Sequence, residues 1–307
     1  MLKIQKNISL SKHTTFRIGG PAKFFAEAES EKELKEALEY AAKNKLKVFV
    51  LAGGSNVLFS DEGFNGLVIK LKTTAKSLRL SGKERMEVWA GTSLGDVVNF
   101  AKDKGLTGME NLAGVPGTIG GAVRGDASAF GTSIGDLVAE VKTAKKSFSK
   151  KACKFGYRTS IFKEKPELVI VSVLLKLQKG DKKEIKKRMK EIVQKRIANQ
   201  PKEWKGSAGS FFKNPEVKNK KLIKLFEKET GKKVKDGKLP AGWLIAEAGF
   251  LGRKIGGAEV SEKHGNFLIN TGKATAQDII MLASIIKQKV RCEFGVELQE
   301  EVQYVSN

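Results

Sequence analysis

The sequence predicts a protein of mixed helix and strand, arranged as three successive regions. Its 307 residues are 40% apolar, which is enough for two or three domains with cores of their own. Capping boxes precede apolar faces with helical spacing, and these predict helices. Short β-branched or apolar segments bounded by turn-forming residues lie between them and predict strands.

The first region, residues 1–71, is predicted to be a small α/β unit. Ser30 and Glu33 form a capping box before an apolar helical face. Strands are predicted at 47–50 and 66–71, with the loop LAGGSN between them. A last strand is expected at 296–304, and the C-terminal segment 296–307 is expected to return to this region.

The second region, residues 72–198, begins with a strand at 86–90 and a helix capped by Ser93 with Asp96. A long β-branched strand is predicted at 167–177, and a lysine-rich helix closes the region. The third region, residues 199–295, contains a helix whose apolar face includes Leu222, Leu225 and Phe226. It ends in a helix at 277–290 behind a box formed by Thr275 and Asp278.

The net charge of +23 raises the question of nucleic acid. The lysines are spread along the chain, and the densest run, 182–195, has Ile185, Met189, Ile192 and Val193 at helical spacing. This predicts an amphipathic helix with a solvated basic face. No aromatic residues for base stacking are interleaved with it, so we expect nonspecific attraction for polyanions and no specific nucleic-acid partner. A basic surface also favours small anionic substrates such as nucleotides.

The chain has no apolar run long enough to cross a bilayer and no secretion signal at its N-terminus. We therefore expect a cytoplasmic protein with no membrane partner. Cys153 and Cys292 are too few for a disulfide framework and lack metal-ligand spacing, so reduced thiols and no metal site are expected.

Two glycine-rich segments, both predicted to be loops, are the most informative features. NLAGVPGTIGG (111–121) follows a capped helix, and LAGGSNVL (51–58) follows a predicted strand. Glycine lets main-chain N–H groups approach a phosphate and supplies the positive φ angles that aim them at one anion. Each segment alone could be an ordinary tight turn. Together they predict that one long ligand carrying a diphosphate is bound at two places.

Three further segments have the composition expected of a binding or catalytic site. SAGSFFKNP (207–215) places a hydroxyl, a lysine and an asparagine beside glycine and proline. Residues 240–270 are dense in glycine and contain His264, one of only two histidines. Arg158, in GYRTS, is always charged and suits a carboxylate.

These segments resemble, in order, the motifs of the UDP-N-acetylenolpyruvoylglucosamine reductase family. The resemblance spans nearly the whole chain: HTTFRIGGPA, LAGGSNVL, NLAGVPGTIGGA, GYRTSIFK, GSFFKNP, AGWLI, IGGAEVSEKHGNF and the terminal ELQEEV. It implies a three-domain α+β flavoprotein with an FAD-binding module of the vanillyl-alcohol-oxidase type, made of two α/β subdomains, and a C-terminal α+β substrate domain. No internal repeat is visible.

The resemblance also implies the reaction. NADPH reduces FAD, and the reduced flavin passes hydride to the enolpyruvyl ether of a UDP-sugar in peptidoglycan precursor synthesis, giving UDP-N-acetylmuramate. Arg158 and Glu301 match the pair that stabilises the enolic intermediate, and Ser210 matches the proton donor. Glu301, if protonated in a desolvated pocket, would donate a hydrogen bond without repelling the substrate carboxylate.

Further residues are implied to bind the ligands. At the FAD diphosphate, ribityl chain and isoalloxazine, the matching residues are Gly53, Gly54, Ser55, Asn56, Pro116, Gly117, Thr118, Gly120, Gly121 and Ala122. Asn214 matches the ligand of the substrate diphosphate, and Lys213 and His264 are weaker candidates for the same end. We expect a monomer.

The chain departs from the family pattern in two places. Asp126 and Ser128 stand where Asn and Gly are usual, and an aspartate near a diphosphate would repel it unless it points away or binds ribose hydroxyls. The segment 141–153 is short for a full hairpin, which suggests that a peripheral turn is lost. The chain resembles the short form of the family, which lacks the tyrosine-loop insertion after YRxS. The alternative is another FAD oxidase or dehydrogenase of the same superfamily that acts on a sugar or alcohol.

Overall fold

The computed structural model describes residues 2–73, 77–201 and 206–307. Within these residues the helices are α1 (Glu31–Lys43), α2 (Leu94–Asp103), α3 (Ile119–Arg124), α4 (Ile134–Leu137), α5 (Ile161–Glu164), α6 (Lys182–Asn199), α7 (Lys220–Thr230), α8 (Ala241–Glu247) and α9 (Ala276–Phe294). The strands are β1 (Ile4–Ser9), β2 (Pro21–Ala28), β3 (Val48–Leu51), β4 (Val57–Phe59), β5 (Phe64–Leu71), β6 (Leu78–Leu80), β7 (Arg85–Trp89), β8 (Leu106–Thr107), β9 (Ser128–Ala129), β10 (Thr132–Ser133), β11 (Val138–Thr143), β12 (Ser147–Ser149), β13 (Ile170–Lys176), β14 (Gln178–Lys179), β15 (Lys254–Ile255), β16 (Ala258–Val260), β17 (Leu268–Asn270) and β18 (Gln303–Val305).

The chain forms two compact units. The first contains residues 1–8, 22–54 and 65–198, and the second contains residues 9–21, 55–64 and 199–307. The predicted division into residues 1–71 with 296–307, 72–198 and 199–295 stays a prediction.

The first unit is built on two sheets. One has the strand order β1-β2-β5-β3, with β3 and β5 parallel. The other has the order β12-β11-β13-β7-β6 and is antiparallel in its pairings. Leu67 on β5 and Val88 on β7 belong to the same buried cluster. One hydrophobic core therefore supports both sheets of this unit.

The second unit contains the three-stranded antiparallel sheet β15-β16-β17 and the parallel pair of β18 with β4. Helices α7, α8 and α9 pack around it through a core that includes Phe226, Leu244 and Ile286. Strand β4, which pairs with β18, is part of the second unit, and the return of segment 296–307 to a subdomain of residues 1–71 stays a prediction.

Local sequence signals locate most elements correctly. The hydroxyls of Ser30, Ser93 and Thr275 accept hydrogen bonds from the N–H three residues later and begin α1, α2 and α9. The strands predicted at 47–50, 66–71, 86–90 and 167–177 are confirmed within a few residues as β3, β5, β7 and β13. The short segment 141–153 still forms a hairpin, because β11 and β12 pair over three residues.

Three expectations about the elements are wrong. The strand expected at 296–304 is regular only in β18, because the residues before it bury alternate side chains without a continuous ladder. Leu225 is 41% exposed, so the buried face of α7 rests on Leu222 and Phe226. The glycine-rich segment 111–121 is not loop throughout, since α3 begins at Ile119.

One buried side chain determines the path of the segment 210–213. The Asn266 Oδ1 accepts a hydrogen bond from the Phe212 N–H, and its Nδ2 donates to the Phe212 carbonyl, both at 2.8 Å. Asn266 is 3% exposed. It therefore satisfies both polar groups of one buried peptide residue.

We predict that Asn266→Ala destabilises the protein by about 2 to 4 kcal/mol, because two buried main-chain groups lose their partners. Chemical denaturation of the purified variant measures this change. Asn99→Ala, on the exposed face of α2, is the control and should change stability by less than about 0.5 kcal/mol. An Asn266→Ala variant as stable as that control would contradict the proposed clamp.

Candidate active site

The two glycine-rich segments approach each other in the first unit. A Cβ atom on Gly53 would lie 2.7 Å from the Gly117 Cα, so no other residue fits at position 53 without displacing the backbone. Gly117 also has φ of +109°. Within the described part of the chain, neither residue's N–H donates a hydrogen bond. These donors are therefore available to an anion at the point where the segments meet.

Three residues at the end of segment 111–121 have structural partners. Gly120 lies against Ala90 at the end of β7, where a Cβ would be 2.8 Å from the Ala90 side chain. The Thr118 hydroxyl accepts a hydrogen bond from the Gly121 N–H and caps α3. Gly120 is thus required for close packing of α3, which fixes the position of the preceding segment.

The chain passes from the first unit to the second after Gly54. In the second unit the Asn56 Nδ2 donates to the Glu301 carbonyl at 3.1 Å, and the Asn56 carbonyl accepts from the Gln303 N–H. A residue predicted to bind the cofactor thus supports the backbone of a predicted catalytic residue.

Ser210 lies on an extended segment between two others in the second unit. On one side Ser210 forms a bridge with Phe267, and the Phe211 N–H donates to the Asn266 carbonyl at 2.8 Å. On the other side the Phe211 carbonyl accepts from the Glu301 N–H at 2.8 Å. Phe211 is buried and Ser210 is exposed. The ladder therefore places the Ser210 hydroxyl at the surface on a segment directly bonded to that of Glu301.

Glu301 is half-buried. Its neighbour Glu300 bridges Phe212 and forms an ion pair with Lys287 at 2.9 Å. Successive residues of an extended segment point to opposite faces, so the carboxylates of Glu300 and Glu301 are directed apart. The structure thus brings Ser210 and Glu301 onto adjacent backbone segments.

The predicted ligands of the substrate diphosphate lie along the same part of the second unit. The Asn214 Oδ1 accepts from the Ala241 N–H at 3.0 Å, in the first turn of α8. Its amide nitrogen is therefore the end with the polarity to bind an anion. The Lys213 N–H donates to the Gln299 carbonyl, which continues the ladder beyond Ser210.

His264 is held as a neutral imidazole. Burial lowers the pKa of His264 below its ordinary value of about 6.5. Its Nδ1 accepts a hydrogen bond from the Asn266 N–H at 3.2 Å, which places the proton on Nε2. Gly242 leaves room for the ring, because a Cβ there would be 2.7 Å from the His264 Cε1. The side chain offers a neutral donor to a ligand and not a positive charge.

Arg158 belongs to the first unit and is held from several directions. Its Nη1 donates to the Ser128 hydroxyl at 3.1 Å, and its guanidinium lies 5.7 Å from the centre of the Tyr157 ring. Its carbonyl accepts from the Lys163 Nζ at 3.0 Å. The backbone of Arg158 has φ of +58°, which is uncommon for a residue with a side chain.

The Asp126 carboxylate forms hydrogen bonds with nearby residues of the chain. Its carboxylate accepts hydrogen bonds from the Ser133 hydroxyl and from the Gly135 N–H, and the residue is 7% exposed. A carboxylate engaged in this way stabilises the start of α4. The expectation that Asp126 points away is consistent with these contacts.

Sequence reasoning missed Arg196 on α6. It treated this helix as a solvated basic face, but Arg196 packs against Gly114 of the glycine-rich segment. The sequence contained a signal for this contact. Arg188 and Arg196 are the only arginines of α6, whose other basic residues are lysines. They lie four residues before and four residues after the buried Ile192, which places them on the same side of the helix.

Across the described residues, no three potential metal-ligating side chains cluster, and no helix has both the length and the apolar character needed to span a membrane. Cys153 and Cys292 are free thiols. Burial raises the pKa of Cys153 to about 11, which keeps this thiol protonated.

Comparisons with known proteins identify the family of the chain. A family model of an FAD binding domain matches residues 22–147, and a model of the UDP-N-acetylenolpyruvoylglucosamine reductase C-terminal domain matches residues 200–305. A UDP-N-acetylenolpyruvoylglucosamine reductase from Carboxydothermus hydrogenoformans is 40% identical over 98% of this chain and 93% of that protein. One from Solibacter usitatus is 36% identical over 99% and 97%.

A solved structure of the reductase from Thermus caldophilus has a TM-score of 0.79 and 32% identity and covers 100% of both chains. The predicted α+β flavoprotein fold is thereby confirmed, with an FAD-binding module before a reductase C-terminal domain. The chain belongs to the UDP-N-acetylenolpyruvoylglucosamine reductases, the FAD-dependent enzymes that use NADPH to reduce an enolpyruvyl group in peptidoglycan precursor synthesis.

Proposed function

We propose that this chain reduces UDP-N-acetylenolpyruvoylglucosamine to UDP-N-acetylmuramate with Ser210 as proton donor and with Arg158 and Glu301 at the substrate carboxylate. The observation that carries this assignment is the ladder that places an exposed Ser210 beside the segment of Glu301. The family membership supplies the reaction, and the assignment of roles to these residues is our inference.

The reaction adds a hydride to the methylene carbon of the enolpyruvyl ether and a proton to the carbon that bears the ether oxygen. FAD, when bound, supplies the hydride from N5 and is reduced beforehand by NADPH. Negative charge then develops on the substrate carboxylate, so the protein must stabilise that charge and deliver one proton.

Ser210 is suited to deliver the proton. A hydroxyl is a weak acid, but a carbon with carbanion character is a strong base, so a well-positioned neutral donor is adequate. The backbone of Ser210 is fixed by pairing on both sides, and Gly209 before it has φ of +74°. This rigidity limits the positions of the hydroxyl.

Arg158 is suited to bind the carboxylate, because a guanidinium keeps its charge and offers parallel donors. Ser128 and Tyr157 hold the guanidinium in one orientation. The serine that replaces the family's usual glycine thus has a role in this chain as a positioning residue for Arg158.

The FAD diphosphate is proposed to lie where Gly53 and Gly117 meet. Their unused N–H groups fit an anion, and the other residues proposed along FAD are Gly54, Ser55, Asn56, Pro116, Thr118, Gly120, Gly121 and Ala122. The substrate diphosphate is proposed to bind at Asn214, with Lys213 contributing charge and His264 a neutral donor.

We further propose the short form of the enzyme, a monomer acting in the cytoplasm without nucleic acid or membrane partners. In support, the segment after Ser160 is used by α5, β13, β14 and α6 before Asn199. The free thiols are compatible with a reducing compartment. The proposed domains are 1–71 with 296–307, 72–198 and 199–295.

The overall proposal predicts a yellow protein whose colour NADPH bleaches and the enolpyruvyl nucleotide restores. In Ser210→Ala, NADPH should bleach the flavin at a near wild-type rate. Reoxidation by substrate should slow by about 10²- to 10⁴-fold, because the proton donor is lost. Stopped-flow absorbance follows both halves. Ser284→Ala, on the exposed face of α9, is the control, and equal losses in both halves would contradict the role of Ser210.

Ser128→Ala should lower kcat/KM for the enolpyruvyl nucleotide by about 3- to 30-fold, because Arg158 loses a hydrogen bond that orients its charged group. The rate of flavin reduction by NADPH should not change. Ser128→Thr retains a hydroxyl and should recover much of the loss. A Ser128→Ala variant that loses activity equally in both half-reactions would refute a role in positioning Arg158.

The lowered pKa of His264 predicts an effect of pH on stability. In the unfolded state His264 binds a proton near pH 6.5, and in the folded state it does so only at a lower pH. Its contribution to the free energy of unfolding is therefore complete above pH 6.5 and decreases as the pH drops toward the folded pKa. His264→Asn should therefore flatten the loss of stability between about pH 7.5 and 5.5. An imidazole NMR signal absent from that variant should titrate below 6.5, and a midpoint at or above 6.5 would contradict the burial argument.

A further inference from the structure

Arg196 has two buried donors without acceptors. Its Nε and Nη2 are shielded from solvent and form no hydrogen bond, and no other buried side-chain nitrogen or oxygen of the described residues lacks a partner. These two atoms lie on one edge of the guanidinium, where two parallel N–H bonds suit a phosphate or carboxylate.

In the absence of an anion this arrangement costs free energy. A buried polar group without a hydrogen-bond partner loses its hydration free energy, and a charged group loses more of it. Burial accordingly lowers the pKa of Arg196, although an arginine remains charged at neutral pH. The unbound protein therefore contains an uncompensated cation.

The position of Arg196 identifies the ligand site that it adjoins. A Cβ atom on Gly114 would lie 3.2 Å from the Arg196 Cδ and 3.8 Å from its Nε. Gly114 has φ of +75° and belongs to the same glycine-rich segment as Gly117. The Arg196 side chain thus packs on the segment that contains Gly117, whose N–H group is proposed to face the diphosphate.

Contacts around Arg196 hold it in place. The Phe130 ring lies 5.3 Å from the guanidinium, within cation–π range. About two turns earlier in α6, the Arg188 Nε donates to the Asn111 Oδ1 at 3.4 Å, and the Asn111 Nδ2 donates to the Phe130 carbonyl at 3.1 Å. Helix α6, the glycine-rich segment and the β9–β10 hairpin are therefore tied together around the arginine.

We propose that the Nε and Nη2 edge of Arg196 binds a phosphate group of FAD. This inference rests on the placement of the FAD diphosphate at the two glycine-rich segments, which lie in the same unit as Arg196. Two negative charges on the diphosphate then match one fixed cation and the free main-chain donors.

The test uses purified apoprotein titrated with FAD. Arg196→Met should weaken FAD binding by about 10- to 100-fold, because two charge-assisted hydrogen bonds are lost. Arg196→Lys retains the charge without the parallel donors and should fall between wild type and Arg196→Met. Lys190→Met removes one positive charge from the exposed part of the same helix and should leave FAD affinity within about threefold.

A second measurement separates binding from a structural role. Arg196→Met removes an uncompensated buried cation, so the Tm of the apoprotein should be unchanged or higher, while the rise in Tm on adding FAD should be smaller. A lower apoprotein Tm with unchanged FAD affinity would show a structural role and overturn the proposal. Unchanged FAD affinity with a raised KM for NADPH or for the UDP-sugar would assign the edge to another phosphate and also overturn it.

The placement of FAD is checked separately with Thr118→Val, which removes the cap of α3 beside Gly117. If this variant weakens FAD binding and Arg196→Met does not, the cofactor placement stands and the role of Arg196 fails. If neither variant changes FAD affinity, the placement of the diphosphate at these segments fails as well. In either case the Ser210→Ala half-reactions still test the catalytic assignment on their own.

Discussion

The part of the second unit that contains the proposed catalytic residues Ser210 and Glu301 depends on main-chain pairing of the segment 210–213. This segment exchanges hydrogen bonds with 266–267 on one side and with 299–301 on the other, and the buried Asn266 amide satisfies both polar groups of Phe212. Two consecutive phenylalanines of this segment, Phe211 and Phe212, are buried. Because their buried side chains anchor the segment and the ladder fixes its backbone, the serine before them has little freedom to move.

The same ladder brings together motifs that are far apart in the sequence. Glu301 is near the C-terminus and Asn56 near the N-terminus, yet both are bonded to the segments around Ser210. Asn56 lies two residues after the point where the chain leaves the first unit. A change in the length of the connection that leads to Asn56, or of the one that leads to Glu301, would shift the Glu301 backbone relative to Ser210. One hydrogen-bonded register sets the positions of both segments.

Much of the fold follows from local sequence signals, whereas the precise site does not. Ser30, Ser93 and Thr275 act within four residues of themselves, so their caps are visible in the sequence. The contact of Gly53 with Gly117, the clamp of Asn266 on Phe212 and the bond of Arg158 with Ser128 join residues far apart in the chain. The last strand was predicted to be longer than it is for a related reason. Val296, Leu298 and Val302 alternate with more exposed residues as in a strand, but only the residues of β18 pair continuously with another strand.

The first unit combines features that each favour an anion, and burial of Arg124 and Arg196 also costs free energy when no anion is bound. Arg196 has a desolvated edge, burial also lowers the pKa of Arg124 at the end of α3, and the N–H groups of Gly53 and Gly117 bond to no described residue. A ligand that binds only the folded state stabilises it by RT ln(1 + [L]/Kd). Such a ligand also removes these desolvation costs, so cofactor affinity and the stability of this unit are coupled through the same atoms.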